Sequence, residues 1–183
     1  MKPSDHPDFF RFAPPPGTSR ESTIVLREDG TFLHDGEVVE HKALHKALAS
    51  WVAKHPDDGR FILTNGYDWT YFAVQGAPMH VTSIDTAQTP PLLTLFDDST
   101  EPLAPETLSV GEDGVVHCWV RGAAFEARFS RHAQTQLAPL LVDRAEARGT
   151  DGSAEGGQTE DGASHLAIRV GGRDFPLPPR PPR

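Results

Sequence analysis

One short pattern is written twice in this chain. Leu26-Arg27-Glu28-Asp29-Gly30-Thr31 opens one half and Val110-Gly111-Glu112-Asp113-Gly114-Val115 opens the other. Each copy leads into strand-like residues, an amphipathic helical stretch and a further strand pair that ends near glycine. A unit repeated in this way predicts two similar lobes with a groove between them. The 183 residues suit one domain or two such small lobes. The repetition constrains architecture and leaves the chemistry open.

Residues 1–20 read as a Pro-rich arm. Phe9, Phe10 and Phe12 are placed to anchor it, and Pro14–Pro16 exclude regular helix or central strand. An N-terminal lobe, 21–98, begins with a strand over Thr23–Leu26, turns at Asp29-Gly30, returns over Thr31–His34 and turns again at Asp35-Gly36. A helix follows over His41–Lys54, with Leu44, Leu48, Trp51 and Val52 on one face. His55-Pro56-Asp57-Asp58-Gly59 ends it. Strands follow over Arg60–Thr64 and Trp69–Val74, around Asn65-Gly66, and then over Met79–Ile84 and Leu92–Phe96.

The C-terminal lobe, 99–177, repeats the order. Val115–Val120 and Ala124–Phe129 form a hairpin around Arg121-Gly122, and a helix runs from Ala133 to Val142. Pro139 kinks that helix or marks a boundary in it. The stretch 143–164 is acidic, Gly-rich and almost free of apolar residues, so it is expected to be a disordered insertion. Strands over His165–Val170 and Phe175–Leu177 close the lobe around Gly171-Gly172. Residues 178–183 form a Pro-rich tail, expected to be unstructured. The fold class is therefore α+β: two similar lobes, each a small antiparallel sheet packed on one helix.

Twenty-six acids against 17 bases give a formal charge of −9. A phosphate backbone needs clustered Lys and Arg, and no such stripe exists, which argues against nucleic acid and against an anionic membrane surface. No stretch approaches the ~20 apolar residues that cross a bilayer. The first 16 residues lack the apolar run of a signal peptide. Cys118 is the lone cysteine, so an intramolecular disulfide is excluded. The expectation is a cytoplasmic protein.

The order and spacing of five stretches resemble a bacterial family, domain of unknown function 1285. They are Glu28-Asp29-Gly30-Thr31-Phe32, Phe61-Ile62-Leu63-Thr64, Ala77-Pro78, Phe125-Glu126-Ala127-Arg128-Phe129-Ser130-Arg131 and Gly171-Gly172-Arg173-Asp174-Phe175-Pro176-Leu177. The resemblance implies an α+β fold of two similar lobes and a suggested role in signalling. It implies no established activity and carries over no site residue.

Phosphate-loop, dinucleotide, nucleophile-elbow and zinc-protease motifs are all missing from the sequence. His41 and His45 share one side of the first helix at metal-chelating spacing, but a site needs a third ligand, from His34 or Glu40. Neither a metal nor a cofactor is expected. His117 and Cys118 are neighbours on a strand and point to opposite faces, so they do not form a nucleophile–base pair. Asn65, Tyr67, Asp68 and Trp69 place an amide, a phenol, a carboxylate and an indole at one turn, a composition suited to recognition. Arg128, beside Glu126 and near Arg131, is a candidate ligand anchor. The tail carries a Pro-x-x-Pro-x-Arg pattern of the kind read by aromatic-lined grooves.

These features predict a non-enzymatic module that binds a small molecule or a protein. The alternatives are a small hydrolase or ligand-processing enzyme with a site assembled between the lobes, and a scaffold acting through the acidic insertion and the tail.

Overall fold

A computed structural model describes residues 2–143 and 166–181. The acidic insertion lies outside the described residues, apart from Asp143. The described residues divide into two compact units. Unit 1 comprises Met1–Met79 and Phe96–Asp98, and unit 2 comprises His80–Leu95 and Ser99–Arg183.

Unit 1 contains β1 (Glu21–Leu26), β2 (Phe32–His34), β3 (Glu37–Val38), α1 (Lys42–Trp51), β4 (Val52–Lys54), β5 (Phe61–Thr64) and β6 (Trp69–Val74). The six strands form one sheet in the order β3-β2-β1-β6-β5-β4. β1 and β6 pair in parallel, so the sheet is mixed rather than antiparallel throughout. The expected helix is three residues too long at its C-terminus. Val52 turns extended (φ −60°, ψ 121°), and Val52–Lys54 pair with Phe61–Leu63 as an edge strand. A β-branched residue with a strand partner outweighs helical periodicity there. The buried stripe is also rotated: Leu48 and Ala49 are buried, His45 packs on Phe32, and Leu44 is 44% exposed. His41 sits outside the helix as its N-cap, its Nδ1 accepting the Leu44 N–H.

The sheet of unit 1 is covered on both faces. Phe32, Phe72 and Phe96 pack together on the α1 side. On the other side Phe9 and Phe10 from the arm cover Ile62, Trp69 and Tyr71. Burial on both faces explains why Ile62 and Leu63 are both buried in succession. The arm is fixed by Arg11, which donates two hydrogen bonds to Asp57, and by Ser4 N–H donating to Gly66 O. Phe12, expected as a third anchor, is 50% exposed against His6.

Unit 2 contains β7 (Met79–Asp85, starting at the boundary), β8 (Leu92–Leu95), β9 (Thr100–Pro102), β10 (Ser109–Val110), β11 (Val116–Val120), β12 (Phe125–Phe129), α2 (Arg131–Leu137), β13 (Leu141–Asp143), β14 (Leu166–Val170) and β15 (Arg173–Pro176). Two sheets result, β10-β11-β12-β7-β8-β9 and β13-β14-β15. Pro139 does mark a boundary: α2 stops at Leu137, a single 3-10 turn holds Ala138–Leu140, and Leu141 begins a strand. α2 packs on β12 with Ala133 and Leu137 inward, and the Ser130 hydroxyl caps it.

The internal repeat is legible in atoms. In unit 1 Arg27 N–H donates to Thr31 O, Gly30 N–H to Arg27 O and Thr31 N–H to the Asp29 carboxylate. In unit 2 Gly111, Gly114 and Val115 make the same three bonds, to Val115 O, Gly111 O and Asp113. Each helix is followed by a three-stranded antiparallel meander, β4-β5-β6 directly after α1 and β13-β14-β15 after the 3-10 turn that ends α2. In unit 1 the meander closes in parallel on β1. In unit 2 the chain beyond β15 touches β10 only through a parallel bridge between Val110 and Pro179. Pro178, Pro179 and Pro181 have no N–H for a ladder, so the equivalent of the β1–β6 pairing stops at that bridge. Among the described residues no helix is long and apolar enough to cross a membrane.

Candidate functional site

The recognition turn predicted at Asn65–Trp69 is largely committed to its own fold. The Asn65 side-chain oxygen accepts both the Tyr67 and Asp68 N–H groups, and the Thr64 hydroxyl donates to Asp68 O. Asp68 accepts from Arg20 Nη1 and from the Trp69 N–H. Burial pushes the Asp68 carboxyl up, but these two donors outweigh it and hold it below the usual range. Trp69 is only 6% exposed and belongs to the core under the arm, with the Arg20 guanidinium 4.5 Å from its ring centroid. Its Nε1 is buried with no hydrogen-bond partner among the described residues. Of the four residues Trp69 alone is buried; Asn65, Tyr67 and Asp68 are exposed, Tyr67 at 65%.

Arg128 lies far from that turn along the chain, in unit 2. Cross-strand pairs place His117 opposite Arg128 and Trp119 opposite Glu126, so these four share one face of β11–β12. Arg128 donates to Asp113 at 2.9 Å. The tail crosses this face. Val110 N–H donates to Pro178 O, and Arg180 N–H donates to Val110 O. Arg180 then grips both Glu126 oxygens through Nε and Nη2, at 2.5 and 2.7 Å. As far as Pro181 the tail is therefore docked rather than unstructured, and its arginine already has a carboxylate partner. Burial, followed by the nearby Arg180, lowers the His117 pKa.

A groove of about 460 Å³, open to solvent, runs beside the docked tail. It is lined by Trp119, 45% exposed, and by Pro178, Pro179 and Pro181. Leu108 and Glu106 contribute from the preceding loop. Within β11 the alternation of inward Val116, Cys118 and Val120 forces His117 and Trp119 onto the opposite face. An outward tryptophan in an alternating strand is the signal by which the sequence could have revealed the groove.

Two solved structures share this architecture. A protein of the DUF1285 family from Silicibacter pomeroyi DSS-3 superposes with a TM-score of 0.60 at 17% identity, covering 87% of this chain and 81% of its own. Another from Shewanella baltica OS155 gives 0.53 at 14% identity, covering 66% of this chain and 94% of its own. This chain has the DUF1285 fold. No family model and no curated protein matches the sequence.

On the DUF1285 fold the remaining chemical candidates are occupied or enclosed. His45 Nε2 is hydrogen-bonded to Gly30 O at 3.0 Å, and His41, outside the helix, caps α1 through Nδ1, so each ring already has a structural partner. Cys118 is fully buried, and burial pushes its thiol up to about 12. A thiol that stays protonated is a poor nucleophile. Cys118 should therefore react with iodoacetamide at neutral pH far more slowly than in the urea-unfolded protein, a difference that intact-mass kinetics will read directly.

Proposed function

We propose that this protein is a non-enzymatic binding module whose groove beside Trp119 takes an extended, proline-containing peptide segment of basic character. The observation that carries this reading is the half-exposed indole of Trp119 lining an open trough together with three prolines. Small-molecule sites enclose most of their ligand's surface, whereas an open trough with an aromatic wall suits a polyproline II segment, which arrives already ordered. The Glu106 carboxylate at the groove and the chain's formal charge of −9 favour a cationic residue in that segment. The signalling role suggested by the family resemblance is compatible with such a module.

The test is fluorescence polarisation with a labelled peptide that carries Pro-x-x-Pro and one arginine. Saturable binding should weaken about tenfold or more in Trp119→Ala, which is ~1.4 kcal/mol or more. Thermal stability of that variant should barely change, because the side chain is half in solvent. Absence of saturable binding, or equal affinity in the variant, removes the groove from consideration.

A further inference from the structure

We propose that the docked tail is a proton-sensitive latch, in which charging His117 loosens Arg180 from Glu126 and releases residues 178–181 from β10. The proposal concerns the tail itself and holds whether or not the groove takes a peptide. His117 is 2% exposed, and its Nδ1 lies 3.0 Å from Val115 O. A carbonyl can only accept, so Nδ1 carries the proton of the neutral ring and Nε2 is left for the next one. The charged groups that act on the ring come from three elements. Arg128 and Glu126 project from β12, Arg180 comes from the tail, and Asp113 stands on the β10–β11 turn.

Those carboxylates are already engaged. Glu126 receives two donors from Arg180, and Asp113 receives Arg128 and the Val115 N–H. A charged His117 is thus a third cation set among two arginines in a buried site. The docked tail supplies one of those arginines. Release of the tail removes Arg180 and admits water, so the released state takes up the proton more readily than the docked one. By linkage, docking is fully favoured above the ordinary histidine pKa and weakens as pH falls through it. One proton is exchanged, so the docking equilibrium changes by at most about tenfold per pH unit.

The remaining attachment is light enough to respond. β10 is two residues long, and the tail meets it through two backbone hydrogen bonds around a single bridge. The prolines prevent a longer ladder from forming. The latch therefore rests mainly on the Arg180–Glu126 pair and on Leu177, which is buried just before it.

Amide hydrogen exchange on the full chain tests this. Protection at Val110 and Arg180 should fall roughly three- to tenfold between about pH 7.5 and about pH 5.5, after correction for intrinsic rates, on either side of the ordinary histidine pKa of about 6.5. Amides within the β11–β12 ladder should hold their protection over the same range. In His117→Asn, which stays neutral, the loss at Val110 and Arg180 should vanish. Should that variant not fold, the ring titration of His117 followed by NMR decides: it should rise in Arg180→Gln relative to the unmodified chain. Unchanged protection in the unmodified chain, the same loss in His117→Asn, or a His117 titration indifferent to Arg180→Gln overturns the latch.

Discussion

Trp69→Ala should lower stability by about 3–5 kcal/mol, the cost of emptying a large buried aromatic site. In a chain of this size that corresponds to a fall in Tm on the order of 6–20 °C. The indole is packed among Phe9, Phe10, Ile62 and Tyr71, and its ring centroid lies 4.9 Å from that of His55 and 5.1 Å from that of Tyr71. Truncation removes the platform on which the arm rests. The arm is then held mainly by polar attachments, Arg11–Asp57, Ser4–Gly66, His55 to Phe10 O and Arg20 to Phe12 O, against its conformational entropy. Trp69→Phe should cost distinctly less, since it keeps most of the apolar contact and removes an indole N–H that has no partner. Urea or thermal unfolding of the two variants reads both effects. A Trp69→Ala protein as stable as the parent would mean that the arm does not seal this face.

Much of the architecture was legible because its signals are local. The Asp-Gly turns, the alternation in 116–120 and 125–129, and the break at Pro139 depend on a few adjacent residues and came out as expected. The repeated Glu-Asp-Gly turn proved to be the same hydrogen-bonded turn in both units. The misread boundary of α1 has a non-local cause. Val52, Ala53 and Lys54 leave the helix because Leu63, Ile62 and Phe61 are there to pair with them. The parallel β1–β6 pairing joins segments more than forty residues apart, and no local pattern announces it.

The candidate site was less legible, for a related reason. Aromatic and polar residues at Asn65–Trp69 suggested recognition because turns usually stand in solvent. The arm covers Trp69, and the sequence gives no register for that cover. Conversely, the proline tail seemed free because prolines resist regular structure. Two backbone hydrogen bonds and one bidentate arginine suffice to dock it. Arg128, named from the sequence as a candidate ligand anchor beside Glu126, pairs with Asp113, and Glu126 pairs with Arg180, partners that come from other parts of the chain.

That cluster should show a marked asymmetry between its two tail-bonding partners. Glu126→Ala should cost about 3 kcal/mol, in the range for breaking a largely buried ion pair, and Arg180→Ala should cost less. The side chains of Glu126 and Arg180 retain only 16% and 20% exposure, so neither charge is well solvated once its partner is gone. Loss of Glu126 leaves Arg128, Arg180 and the titratable His117 facing Asp113 across the same surface. Loss of Arg180 leaves Glu126 beside Arg128, two positions along β12 on the same face, which can take up part of its charge. The double variant should be no worse than Glu126→Ala alone, because once the carboxylate is gone the guanidinium has nothing left to satisfy. The four proteins form a thermodynamic cycle measured by urea unfolding. Equal single costs would mean that Arg128 does not share Glu126. Simple additivity would mean that the Arg180–Glu126 bond contributes nothing to holding the tail, and tail docking would then rest on Leu177 and the two backbone hydrogen bonds of β10.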